Sequence, residues 1–84
     1  MESPLTFPCI FPIKVIGIAS ERLEAEVAAI IGRHAPSADA DISMRASNKG
    51  KYLAITIRLR ADSRQQLDDI YRDLTACKQV LMAL

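Results

Sequence analysis

One histidine and two cysteines are the scarce reactive side chains of this sequence, and their spacing decides what they can do. His34 stands alone, whereas a zinc site wants three or four ligands and nucleophilic catalysis wants a nucleophile and an orienting carboxylate. It closes an apolar stripe of helical period just before Pro36, so the expectation is a helix-end imidazole interacting with the last carbonyls. Cys9 and Cys77 fall at far ends of two strands expected to lie side by side and antiparallel. About eight residues of strand at about 3.3 Å each separate them, and a disulfide needs Cα atoms within about 7 Å, so free thiols are expected, as in a reducing cytoplasm. Asp68, Asp69 and Asp73, with Arg72 beside them, read as a solvated helix face, and Glu21, Glu24 and Glu26 complement a helix dipole. No nucleophile, base and oxyanion donor converge. The expectation is a domain without catalysis of its own, without metal and without cofactor.

Two places carry binding chemistry instead. Gly17, Ile18, Ala19 and Ser20 lead from a strand into a helix N-terminus, where glycine lets a ligand approach the backbone and unpaired amides favour an anion. Lys14, on the same strand, could add charge. The second place is the open face of the sheet, where Lys14, Arg45, Arg58 and Arg60 join Tyr52, Thr56 and Ser43 in a modest basic stripe. Split βαβ domains that recognise RNA stack bases on this face. Lys49-Gly50-Lys51-Tyr52 begins like their third-strand signature, but the stacking positions hold Lys51 and Leu53, which cannot stack a base.

These residues need elements to hold them. Cys9 to Ile18 is rich in β-branched residues and reads as a strand with Phe11, Ile13 and Val15 on one face and Ile10, Lys14, Ile16 and Ile18 on the other. Ser20 caps a helix whose stripe is Leu23, Val27, Ile30, Ile31 and His34, ended by Pro36. Ile42, Met44 and Ala46 alternate with polar residues as a half-buried strand, and Ser47-Asn48-Lys49-Gly50 supplies turn residues. In Lys51 to Ala61, Leu53, Ile55, Ile57 and Leu59 take the core parity and Tyr52, Thr56, Arg58 and Arg60 the other. Ser63 and Gln66 form a capping box before a helix buried through Leu67, Ile70, Tyr71 and Leu74, and Lys78 to Leu84 closes as a strand. The order β-α-β-β-α-β specifies an α+β, ferredoxin-like sandwich: a four-stranded antiparallel sheet in the order 4-1-3-2 with both helices on one face. Residues 1–7 read as a flexible arm and 8–84 as a single domain.

Composition narrows the partners. Eleven Lys and Arg against ten Asp and Glu leave a net charge of +1, which argues against a polyelectrolyte drive toward nucleic acid or anionic membrane. No apolar run approaches the roughly 20 residues needed to span a bilayer, and the N-terminus lacks the pattern of a secretory signal, so a cytoplasmic protein is expected.

Residues 7–17, Phe-Pro-Cys-Ile-Phe-Pro-Ile-Lys-Val-Ile-Gly, resemble the opening of the YbeD family of small bacterial proteins, with its Phe-Pro, aromatic, Lys and Gly at this spacing. Arg33-His34-Ala35-Pro36 and Ser47-Asn48-Lys49-Gly50-Lys51-Tyr52 match further stretches, and the likeness runs from Pro4 to Leu84. This resemblance implies a ferredoxin-like fold close to the regulatory ACT domains, in a family described as a lipoate regulatory protein without an established biochemical activity. Ile16 to Ala35 is similar to the first strand-to-helix passage of an ACT domain, without its acidic residue and Pro-Gly. The implied function is that of a small non-enzymatic regulatory or ligand-binding domain, a monomer or weak homodimer. A small carboxylate metabolite would sit at Gly17 to Ser20, across a dimer interface if the ACT likeness holds. The alternative is a protein-interaction module using the open sheet face or a sheet edge, with a weak nucleic-acid binder third.

Overall fold

A computed structural model describes residues 6–47 and 49–84 of the chain. Strand β1 spans Cys9–Ile18, helix α1 Glu21–His34, strand β2 Ala40–Ala46, strand β3 Tyr52–Ala61, helix α2 Arg64–Ala76 and strand β4 Val80–Ala83, with a single 3₁₀ turn at Ser37–Asp39 before β2. The sheet runs β2-β3-β1-β4 with every pair antiparallel, which is the expected ferredoxin-like topology. Residues 1–5 of the expected N-terminal arm and Asn48 of the hairpin lie outside the described residues. Phe7, also assigned to that arm, packs against the core.

Alternation in the central strands makes the core. Ile13 and Val15 on β1 face Ile57 and Ile55 on β3, and all four are fully buried with Leu59 and Ala61. Against them lie Leu23, Val27, Ile30 and Ile31 of α1 and Leu67, Ile70 and Leu74 of α2. Each such aliphatic side chain removed from water contributes about 1.5–3 kcal/mol before conformational entropy is counted. Phe11 meets Tyr71 edge to face, ring centroids 6.5 Å apart, so the aromatic end of this layer also closes by packing.

The helices start where hydroxyls satisfy orphan amides: Ser20 Oγ accepts from the Leu23 N–H at 3.0 Å and Ser63 Oγ from the Gln66 N–H at 3.1 Å. Gln66 departs from the expected capping box. Its Oε1 accepts from the Asp62 N–H at 2.7 Å instead of the Ser63 N–H, and its Nε2 donates to the His34 carbonyl at 2.8 Å, tying the end of α1 to the start of α2. At the hairpin, Gly50 takes a φ of +69°, a conformation that excludes most side chains, and donates to the Ser47 carbonyl.

Two strands differ from expectation. Met44 and Ala46 have the core parity of β2 yet stand exposed, because β2 is an edge strand and the buried layer ends at β3. β4 covers four residues rather than the expected run from Lys78, since Lys78 and Gln79 form a turn. Its ladder reaches only Lys14 to Gly17 of β1, closed by the paired Lys14 and Leu84 backbone bonds at 3.0 and 2.8 Å. Among the described residues no strand continues that lane beside Cys9 to Ile13, where the even-numbered backbone groups, including Pro12, point outward.

Candidate binding face

Strand register brings the open-face residues into rows. Arg45, Ala54, Ile16 and Met82 form one row across β2, β3, β1 and β4. Ser43, Thr56, Lys14 and Leu84 form the next, then Asp41, Arg58 and Pro12, then Arg60 and Ile10, while Tyr52 and Ile18 lie beyond the first. The face therefore divides lengthwise. The β2–β3 half is polar with an excess of cations, Arg45, Arg58 and Arg60 against Asp41 beside Arg58, and carries Ser43 and Thr56. The β1–β4 half is apolar through Ile10, Ile16, Ile18, Met82 and Leu84, with Lys14 near the seam. Ile18, Met82 and Leu84 are each more than half or half exposed, at 53%, 50% and 64%.

Ala54 makes a low point between the taller Arg45 and Ile16. Ala54 and Thr56 lie between Arg45 and Ser43 on one side and Ile16 and Lys14 on the other, and a shallow groove of about 470 Å³ follows them. A smaller hollow continues past Ala54 to Tyr52 and Ser47. Beyond it Lys51 lays its ammonium 5.5 Å from the Tyr52 ring centroid, which adds a cation to the hairpin end of the face.

Charge pairing differs sharply between the two layers. In the helices Arg22 meets Glu26, Arg33 meets Asp73, Arg64 meets Asp68 and Arg72 meets Asp69, at 3.1–3.8 Å. On the open face Arg60 meets Asp62 at 3.2 Å, but Lys14, Arg45 and Arg58, with Lys49 and Lys51 at the hairpin, have no ion pair among the described residues. A net charge of +1 averages these opposed layers and conceals the asymmetry.

The Gly17–Ser20 passage, whose first two residues still belong to β1, is built differently. Gly17 is buried, and a Cβ there would meet the Gln79 carbonyl oxygen at 2.5 Å and both Leu23 methyls at 2.9 Å. The Ala19 N–H donates to the Lys51 carbonyl at 2.9 Å, and Ser20 is occupied as the α1 cap. Ile18 and Lys14 point to the open face, away from the buried side of Gly17. Of the five residues expected to gather around a ligand there, Lys14 and Ile18 thus join Tyr52, Thr56, Arg45, Arg58 and Arg60 on the sheet.

His34 does more than end α1. Its Nε2–H donates to Asp73 Oδ2 on α2 at 2.6 Å, with Arg33 at 3.7 Å from the same oxygen. The His34 hydrogen bond, reinforced by the charges of His34, Arg33 and Arg72, holds the Asp73 carboxyl below the ordinary carboxylate range against a smaller opposing effect of burial. Asp73, expected on a solvated face, instead joins two helices. Among the described residues no hydroxyl, thiol or amine hydrogen-bonds the other ring nitrogen, and no cluster of His, Cys, Asp and Glu suits a metal. Cys9 and Cys77 are free, as expected.

A protein-family model described as "Protein of unknown function (DUF493)" matches residues 2–84. Among curated proteins, a UPF0250 protein of Shewanella amazonensis is 41% identical over 80 residues, covering 95% of this chain and 90% of that one. A UPF0250 protein of Neisseria meningitidis is 40% identical over 83 residues, covering 98% and 91%. Among solved structures, the solution structure of protein HP0495 from H. pylori matches with a TM-score of 0.81 at 12% identity, over 99% of this chain and 88% of that one, a likeness of fold.

Proposed function

We propose that this chain, which belongs to the DUF493 family of small bacterial proteins, is a non-enzymatic regulatory domain that works by binding a carboxylate-bearing partner through the open face of its sheet. The observation that carries this reading is that Lys14, Arg45 and Arg58 have no ion pair among the described residues, on a face whose helical counterpart has its arginines paired. Cations without an ion pair among the described residues, beside exposed apolar side chains, favour an anionic ligand that also buries carbon. Hydroxyls of Ser43 and Thr56 beside the groove add donors for an oxygen ligand. The sheet is favoured over the Gly17–Ser20 turn because Leu23 and Gln79 fill the space at Gly17.

Amide shifts of the full chain on titration with acetate and octanoate test the reading. Perturbations are expected at Lys14, Arg45, Ala54 and Thr56, larger for octanoate, and they are expected to vanish in Arg45→Glu. Shifts confined to Gly17, Ala19 and Ser20 would move the site to the turn, and an unmoved face would end the proposal.

A further inference from the structure

The open face is larger than a small carboxylate needs, and its two halves run parallel to the strands. From Ile10 to Ile18, β1 extends about 26 Å at about 3.3 Å per residue. The apolar half follows that length, from Ile10 past Ile16 to Ile18, flanked by Met82 and Leu84. The cationic half follows it on the other side, from Arg60 and Arg58 to Arg45 and on to Lys51 over Tyr52. The seam between the halves lies between β3 and β1.

An occupant of such a face must present an anionic stripe and an apolar stripe side by side over the same length. A segment lying on the face of a sheet meets side chains and finds no backbone partners there, unlike one that pairs with a sheet edge. It must therefore satisfy its own backbone, as an α-helix does. Helix width, about 10–12 Å, matches two strand spacings of about 4.8 Å, so one helix over the seam reaches both halves. A second copy of the chain related by a two-fold axis across the strands would set Arg45 and Arg58 against like charges, and one related by an axis along the strands would lay those arginines on the apolar half without a carboxylate partner. A nucleic acid would want stacking rings, and Tyr52 is the single aromatic that the described register puts on this face.

We infer that the open face docks an acidic amphipathic helix of a protein partner, its carboxylates over Arg45, Arg58 and Lys51 and its apolar stripe over Ile16, Ile18 and Met82. The inference rests on the reading of this face as the working surface and adds the class of the partner. About 17 residues of helix span the face at 1.5 Å per residue.

The test uses the full chain and four probes: a Leu/Glu helical peptide of about 17 residues with adjoining stripes, a shuffled peptide of the same composition, an oligouridylate of about 12 nucleotides, and octanoate. Binding is read by fluorescence anisotropy for the labelled peptides and oligonucleotide, and by amide shifts for all four. The striped peptide is expected to bind at least about tenfold more tightly than the shuffled one and to perturb both halves, Arg45 and Ala54 as well as Ile16, Ile18 and Met82. Arg45→Glu and Ile18→Ser, both at exposed positions, are each expected to weaken it by about tenfold. Equal binding of the shuffled peptide would overturn the inference. So would shifts of the face that only oligouridylate or octanoate produces, or that concentration alone produces, and those results would leave the face a binding surface. A face that no probe moves would overturn the inference and the reading beneath it together.

Discussion

Gly17 holds a position where nothing larger fits. The Gln79 carbonyl oxygen and the Leu23 methyls close over its Cα, so an added methyl would lie 2.5 Å from a backbone oxygen and 2.9 Å from side-chain carbons. The side chain of Leu23 is fully buried and the Gln79 oxygen belongs to the backbone entering β4, so neither yields cheaply. Gly17→Ala is expected to cost about 1–3 kcal/mol, the range for overpacking. In a domain of this size that lowers Tm by about 4–8 °C per kcal/mol, which thermal unfolding followed by circular dichroism would read. Gly50→Ala meets no atom within 4 Å and is strained only through its φ of +69°. The sequence marked Gly17 as a residue the backbone needs but not the reason. A turn glycine that admits a ligand and one that admits a neighbouring strand look alike until the partner strand is placed.

Between elements, the join of α1 to α2 is the feature that local pattern could not reveal. His34 and Asp73 stand 39 positions apart, and only the crossing of two helices over the sheet brings them to 2.6 Å. Elements set by nearest neighbours were legible: the Ser20 and Ser63 caps, the parity of β3 and the stripe of α1 all follow from residues a few positions apart. Met44 and Ala46 keep the core parity yet stand exposed, because parity tells which face a residue takes and not whether anything covers that face. The helix join makes stability depend on pH with a definite sign. Since the folded Asp73 carboxyl titrates below its unfolded value, its contribution is complete above the ordinary aspartate pKa of about 3.9. The contribution is lost as pH falls through the lower folded value. Urea midpoints of the native chain and Asp73→Asn, measured from neutral pH down through this range, are expected to converge as acid is added. A difference that grows toward low pH would contradict the assignment of the shift.

At the scale of the whole molecule the two layers carry opposite electrostatic character, which total charge hides. Arg45→Glu with Arg58→Glu, and Arg22→Glu with Arg64→Glu, give two variants of identical net charge, one altered on the sheet and one on the helices. The sheet variant is expected to leave a sulfonate cation exchanger at clearly lower salt than the helix variant, because Arg45 and Arg58 have no ion pair among the described residues and Arg22 and Arg64 are neutralised locally. Identical elution of the two would mean that net charge alone governs retention. The basic stripe itself was readable as alternate residues of β2 and β3, and the apolar half along β1 with it. The Met82 and Leu84 contribution depended on where a short last strand would begin, and the turn at Lys78 and Gln79 set that.

The outward lane of β1 beyond the end of β4 has a consequence for the chain in crowded solution. A bare strand margin is a template on which another chain can lay a strand of its own, and repeated templating builds fibres. Pro12 stands in that lane with a carbonyl and no N–H, on the side that a newcomer would have to pair with. The ladder is broken at the place where it would have to propagate. On this margin, though not on the outer edge of β2, one imino acid thus interrupts the pairing that polymerisation would need.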